Sequence, residues 1–127
     1  FVSDYVNHGA DYIFVITNDG WWSDTPGYKV HLTFSQIRAV ETRRSIARAA
    51  NTGISCFINQ KGELIKPTAY WKETAIDYRI NANAEITYYT KHGDYIGRIA
   101  AFFAVLMLLY IFVIRLIADK KTKKKKK

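Results

Sequence analysis

Few side chains in this sequence could take part in chemistry, and they do not form a catalytic set. Cys56 lies inside an apolar run, with no base beside it and no turn to present its thiol, so we predict a core residue rather than a nucleophile. His8, His31 and His92 lack the spacing of metal ligands. We therefore expect no metal or other cofactor, and we assign no catalytic residue.

A loop with two adjacent tryptophans is the better candidate for a binding site. Residues 18–24 follow the apolar run Tyr12–Ile16, which is rich in β-branched and aromatic side chains and predicts a strand buried on both faces. Open α/β sheets bind ligands at the carboxyl ends of their strands. The candidate substrate-binding residues are Asn18, Asp19, Trp21 and Trp22. In the alternative interpretation, the tryptophans only cover the sheet edge or pack on other protein.

A long helix is predicted after this loop. Thr25 is a good N-cap and Pro26 a good first helical residue, and we extend the helix to Ala50. Its apolar stripe consists of Val30, Phe34, Ile37 and Val40. A neighbouring face carries Arg38, Glu41, Arg44 and Arg48, as either a buried ion network or an exposed face. His31, early in this helix, either orients a loop residue or is solvated.

The remaining elements complete an α/β pattern. Residues 1–8 have the apolar spacing of a helix end, and residues 54–58 predict a second strand that forms a βαβ unit with the first. Residues 59–62 predict a hairpin turn, and the alternation in residues 74–80 predicts a sheet-edge strand. These elements are too few to cover both faces of a parallel sheet. We expect further sequence upstream, because the chain begins at Phe1 rather than Met.

The charge distribution excludes nucleic acid as the expected partner. The net charge is +8, but residues 1–97 contain ten basic and ten acidic side chains, which cancel. The surplus comes mainly from seven lysines between Lys120 and Lys127. A globular part without net charge has no electrostatic footprint for a phosphate backbone.

The same lysines follow the most apolar segment of the chain. Residues 99–114 contain no charge, proline or glycine, and the 23 residues 96–118 are long enough to span a bilayer, which takes about 20. A buried core helix is the alternative, but the segment has no polar face. The positive-inside rule predicts a cytoplasmic C-terminus. The predicted parts are a globular domain at 1–95, a transmembrane helix at 96–118 and a cytoplasmic tail at 119–127.

Four segments resemble the C-terminal part of the apolipoprotein N-acyltransferase family, membrane members of the nitrilase (carbon-nitrogen hydrolase) superfamily. They are Thr17–Trp22, His31–Arg48 with its core Arg38-Ala39-Val40-Glu41-Thr42-Arg43, Asn51–Ile54 and Thr87–Asp94. Each is short, but their order and spacing ahead of a terminal membrane helix make the resemblance specific. It covers nearly the whole chain. Trp22 stands where the family more often has phenylalanine, and the lysine tail is longer than usual.

The resemblance implies an α-β-β-α sandwich in the periplasm, attached to the bacterial inner membrane. It also implies an enzyme in which a cysteine takes an acyl chain from a phospholipid as a thioester and passes it to the N-terminal cysteine amine of a lipoprotein. A glutamate base and a lysine that stabilises the oxyanion assist. All three catalytic residues are expected upstream of Phe1, so Cys56 does not inherit the role of nucleophile. Trp21 would form a wall of the substrate site, and Asn18 and Asp19 would shape its floor.

Two alternatives stay open. The first is a non-catalytic, membrane-anchored interaction domain on the same scaffold. The second is a nitrilase or amidase with one added membrane anchor. Several hydrophobic segments and a Glu, Lys and Cys set upstream would favour the acyltransferase, whereas a start codon near Phe1 would favour the interaction domain.

Overall fold

The computed structural model describes residues 1–125, with side chains described as far as residue 117. The chain consists of two compact units, residues 1–93 and a second unit that begins at Asp94. In the first unit the elements are α1 (Val2–Asn7), β1 (Tyr12–Thr17), a 3-10 turn (Gly20–Trp22), α2 (Gly27–Thr42), β2 (Ser45–Ala50), β3 (Cys56–Ile58), β4 (Leu64–Ile65) and α3 (Tyr88–His92). The second unit contains α4 (Tyr95–Lys125).

The first unit is built on a mixed four-stranded sheet in the order β1-β2-β3-β4. β1 and β2 are parallel, in register from Tyr12 opposite Ser45 to Thr17 opposite Ala50. β3 and β4 are antiparallel to their neighbours. The core lies between α2 and this sheet, around Leu32, Ala39, Ile46 and Ile58. The α/β class expected from the sequence is thus confirmed, and a parallel β-α-β unit forms, but its second strand is not the predicted one.

The predicted helix from Pro26 to Ala50 is wrong in its last third. α2 ends at Thr42, because Arg43 adopts a left-handed conformation (φ 52°), and the chain then enters β2. The second strand of the parallel unit is therefore Ser45–Ala50, not residues 54–58, which contribute only the short antiparallel β3. Three alanines in β2 have high helix propensity. Pairing with β1 overrides it.

The predicted apolar stripe of α2 is also wrong. Val30, Phe34, Ile37 and Val40 are 41–56% exposed. The buried face is more polar and includes three small residues, Ser35, Ala39 and Thr42, together with Tyr28 and Leu32. The hydroxyl groups on this face are satisfied, since Ser35 Oγ accepts a hydrogen bond from Arg48 Nη1 and Thr42 Oγ1 donates one to the Arg38 carbonyl oxygen. Hydropathy alone selected the bulky face, whereas close packing on the sheet selects the small one.

The predicted charged ladder on the long helix does not form, because its members lie in different elements. Arg38 pairs with Glu41 on α2. Arg44 is buried between the elements and donates to the carbonyl oxygens of Ala10 and Glu85. Arg48 lies on β2.

The apolar run predicted that β1 would be buried on both faces, and this prediction is wrong. Ile13 and Val15 pack on the core, whereas Phe14 is 66% and Ile16 90% exposed. β1 lies at the edge of the sheet, with β2 as its one neighbour in the described chain.

Four smaller predictions have different outcomes. Residues 74–80 form no strand in the structure, so the predicted edge strand is wrong. The helix end in residues 1–8 is confirmed as α1, and the turn at 59–62 joins β3 to β4 through a hydrogen bond from Gly62 N to the Asn59 carbonyl oxygen. α2 begins one residue later than expected, with Pro26 rather than Thr25 at the N-cap position.

α4 is long and apolar enough to cross a membrane. Its segment Tyr95–Ile117 has 23 residues and a mean hydropathy of 2.6, and it is not buried within the structure. Lys126 and Lys127, the end of the predicted tail, lie outside the described residues.

Candidate functional site

Two loops meet at the carboxyl ends of the parallel strands. Residues 18–24 follow β1, and residues 51–53 follow β2. Because β1 and β2 run in register, these loops leave the sheet side by side. This is the edge at which α/β sheets place ligands.

Asp19 is the centre of the first loop, and its carboxylate is fully buried. Arg48 Nη2 donates to both carboxylate oxygens, at 2.9 and 3.2 Å. His31 Nδ1 donates to Oδ1 at 2.8 Å, and Thr17 Oγ1 donates to the same atom at 3.3 Å. The sequence left open whether His31 orients a loop residue or is solvated, and the structure shows the contact with Asp19. A carboxylate so enclosed anchors the loop and offers little surface to a substrate.

Asn51 ties the two loops together. Its Oδ1 accepts from the Asp19 backbone amide at 3.1 Å, and its Nδ2 donates to Asn18 Oδ1 at 2.7 Å. Asn18 Oδ1 also accepts from the Gly20 amide at 3.0 Å. The side chain of Asn18 therefore closes the turn that precedes Trp21.

Gly53 allows the close approach of the second loop to Asp19. A Cβ atom at this position would lie 2.0 Å from Asp19 Oδ2. Any side chain at residue 53 would thus displace the buried carboxylate from Arg48.

The two tryptophans have different environments. The Trp21 side chain is 84% exposed. Trp22 is 46% exposed, covers Gly27 and lies with its ring 6.4 Å from that of His31. Of the pair, Trp21 is the one free to contact a ligand.

A third segment brings another exposed aromatic side chain to the same edge. The Trp71 amide donates to the Thr52 carbonyl oxygen at 2.8 Å, and the Trp71 side chain is 70% exposed. Its neighbour Tyr70 stacks on Tyr28 with ring centroids 4.4 Å apart. Partial burial there, together with the negative charge of Asp24, raises the pKa of Tyr70.

Cys56 lies away from these loops, in the core. It is fully buried beside Ile46 and Ile58, as expected from the sequence. Burial raises the pKa of its thiol to about 11, against a smaller opposite effect from the Arg48 charge. The thiol is thus protonated and inaccessible near neutral pH.

The four residues selected from the sequence all lie in the first loop, but the sequence missed their supports. Arg48 was placed on a helix, so its contact with Asp19 could not be foreseen. Asn51 and Gly53 follow Ala50, the residue to which the helix was extended, so they were not expected to follow a strand. Recognising β2 would have identified all three, because residues 51–53 then follow a strand parallel to β1.

Comparison with known proteins identifies the family of this chain. Residues 2–89 match the carbon-nitrogen hydrolase family. The match covers more than half of the chain, and the chain belongs to this family.

The chain is also similar to curated proteins within a narrower class, the apolipoprotein N-acyltransferases. The chain is 32% identical over 108 residues to the apolipoprotein N-acyltransferase of Chlorobaculum tepidum, covering 85% of this chain and 20% of that protein. Identity to the enzyme of Agrobacterium fabrum is 36% over 105 residues, covering 82% and 19%. For that of Thermotoga maritima it is 30% over 102 residues, covering 80% and 20%. The chain spans about a fifth of the length of these curated relatives.

Proposed function

We propose that this chain is the C-terminal portion of an apolipoprotein N-acyltransferase. The observation that carries the proposal is the similarity to enzymes of that name over 80–85% of the chain. In the proposed reaction the longer protein transfers an acyl chain from a phospholipid to the N-terminal cysteine amine of a lipoprotein. The proposal includes a nitrilase-like α-β-β-α sandwich, of which residues 1–95 form the C-terminal part.

The proposed chemistry has two acyl transfers. A cysteine thiolate upstream of this chain attacks the ester carbonyl of the phospholipid, and the C–O bond breaks to leave a thioester and a lysophospholipid alcohol. The lipoprotein amine then attacks the thioester, so an amide forms and the thiol is regenerated. An upstream glutamate takes the thiol proton and returns it to the leaving alcohol, and an upstream lysine stabilises each oxyanion.

The contribution of this chain is the apolar wall beside the reacting ester. Trp21 offers a large, stiff ring with one N–H donor, which suits an acyl chain next to a polar headgroup. Asn18 and Asp19 shape the base of this wall from within the loop, while Trp22 packs against the helix start. No metal or cofactor takes part in this proposal.

The proposal places the longer protein in the bacterial inner membrane. The helix at 96–118 spans the bilayer, the globular part faces the periplasm and the tail at 119–127 lies in the cytoplasm. The apolar segment Tyr95–Ile117 and the lysines after it support this topology.

The test is acyl transfer by the full-length protein in detergent, with a phospholipid donor and a lipopeptide that has a free N-terminal cysteine amine. Trp21→Ala is expected to lose on the order of 2–4 kcal/mol of interaction, roughly thirty- to thousand-fold in kcat/KM. Trp21→Phe recovers part of this loss, and Trp22→Ala loses less activity.

Three outcomes would contradict parts of this proposal. Release of the acyl chain to water without transfer to the amine would indicate a hydrolase of the same family. Turnover of neither kind in the folded protein would indicate an interaction domain. Normal activity of Trp21→Ala with a lowered melting temperature would restrict that residue to packing.

A further inference from the structure

The position of Trp21 is set by its backbone rather than by its own contacts. With 84% of the side chain exposed, the indole has little packing to hold it. The backbone around it is a single 3-10 turn, in which the Trp22 amide donates to the Asp19 carbonyl oxygen at 3.1 Å. Where Trp21 lies therefore depends on where Asp19 is held.

Asp19 is held by a buried ion pair that is a poor device for stability alone. The side chains of Asp19 and Arg48 are both fully buried, and Arg48 Nη1 also donates to Ser35 Oγ at 2.9 Å. Burying two charges carries a large desolvation cost, so apolar residues of similar size often stabilise a core as well or better. The pair instead fixes the position of the Asp19 carboxylate, because the Arg48 guanidinium group holds it relative to both β2 and α2.

His31 extends this control to the second tryptophan. Its Nδ1 donates to Asp19 Oδ1, its ring is partly exposed and its neighbour on the outer side is Trp22. One imidazole thus contacts both the anchor of the loop and the aromatic side chain that closes it against α2.

We propose that Arg48 and His31 are positioning residues for the lipid donor: through Asp19 they fix residues 18–24, and so the Trp21 wall, at the edge of the sheet. This inference rests on the proposed function, since it assumes that Trp21 contacts the donor. It assigns no chemical step to either residue. Both act through the loop.

The experiment compares Arg48→Lys with Arg44→Lys in the full-length protein. Both arginines are buried, but Arg44 donates to carbonyl groups of Ala10, Thr42 and Glu85 and has no contact with the loop. Both variants keep the charge and lose the planar guanidinium group. Arg48→Lys is expected to lower kcat/KM for the phospholipid by about tenfold or more, mainly through KM, because small misplacements of a substrate contact have large kinetic effects. Arg44→Lys changes that parameter by less than about threefold.

Variants of Asp19 and His31 test the same inference if Arg48→Lys does not fold. Asp19→Asn keeps the shape and removes the charge, and His31→Asn keeps a donor near the position of Nδ1. Asp19→Asn is expected to raise the phospholipid KM as Arg48→Lys does. His31→Asn restores most of the activity that His31→Ala loses.

Amide hydrogen exchange of residues 17–24, measured on the same proteins, separates this inference from the proposed function. Arg48→Lys should speed exchange in this segment, and Arg44→Lys should not. If the wild-type protein transfers no acyl chain, the proposed function fails while the exchange data still test the positioning. Equal effects of both variants on KM and on exchange would overturn the inference and leave Arg48 a structural residue.

Discussion

Cys56, the one cysteine of this chain, is buried, and its thiol is therefore poorly reactive. Because the pKa of Cys56 is raised to about 11 from 9.0, on the order of a hundredfold less thiolate is present at pH 8 than for a free thiol. We expect iodoacetamide to leave Cys56 unmodified in the native full-length protein and to alkylate it after denaturation, as read by peptide mass spectrometry. Modification of native Cys56 at the rate of an exposed thiol would contradict the buried placement.

The same raised pKa gives stability a definite pH dependence. The folded state holds the thiol proton more tightly than the unfolded state, so this contribution is intact below about pH 9 and is lost as the pH rises toward 11. The melting temperature of the wild-type protein should therefore fall more steeply over this range than that of Cys56→Ala. Parallel curves would show that the thiol does not titrate in this way.

Gly53 is the residue at which a single methyl group should do most harm. The added Cβ of Gly53→Ala meets the Asp19 carboxylate at 2.0 Å, and relief of the clash breaks the contact with Arg48. We expect a loss of about 3 kcal/mol or more in the free energy of unfolding, the cost of disrupting a buried ion pair. Gly20→Ala is the matched control, because the nearest atom to its Cβ is a side-chain oxygen of Asn18 at 3.1 Å. A loss under about 1 kcal/mol for Gly53→Ala would contradict the close approach.

Among the secondary-structure elements, the sequence pattern predicted those that depend on short-range interactions. β1, the start of α2 and the turn at 59–62 were recognised from short-range signals, namely a β-branched run, a proline and a Gly-containing turn. The change from α2 to β2 was not, because residues 43–50 favour a helix and become a strand only through pairing with β1. The Asp19–Arg48 contact was therefore not predicted either, since it joins two residues that are 29 positions apart in the sequence.

The two faces of α2 provide a direct test of its orientation. Leu32 is buried, whereas Val30 is 54% exposed on the face that hydropathy had selected. Leu32→Ala should lower the free energy of unfolding by about 2–5 kcal/mol, and Val30→Ala by less than about 0.5 kcal/mol. Chemical denaturation of the full-length protein measures both. A large loss for Val30→Ala would show that the rest of the longer protein covers this face.

At the scale of the whole molecule, the apolar segment of α4 and the lysines after it predict a fixed topology. In spheroplasts, protease added outside should digest residues 1–95 and spare an epitope placed after Lys127, because cytoplasmic segments carry the positive charge. Permeabilised cells are the control in which both are digested. Loss of the epitope with protection of the globular part would reverse the orientation.

The open edge of β1 has a practical consequence for handling this chain. Residues 12–16 are uncharged, contain no proline and lie at the edge of the sheet, with Phe14 and Ile16 facing solvent. Such a strand is a template for fibril-like stacking of identical chains. A detergent that keeps α4 dispersed does nothing for this edge. If β1 is left uncovered, we expect the purified chain to aggregate through its globular unit, and a lysine in place of Ile16 is the change to make first.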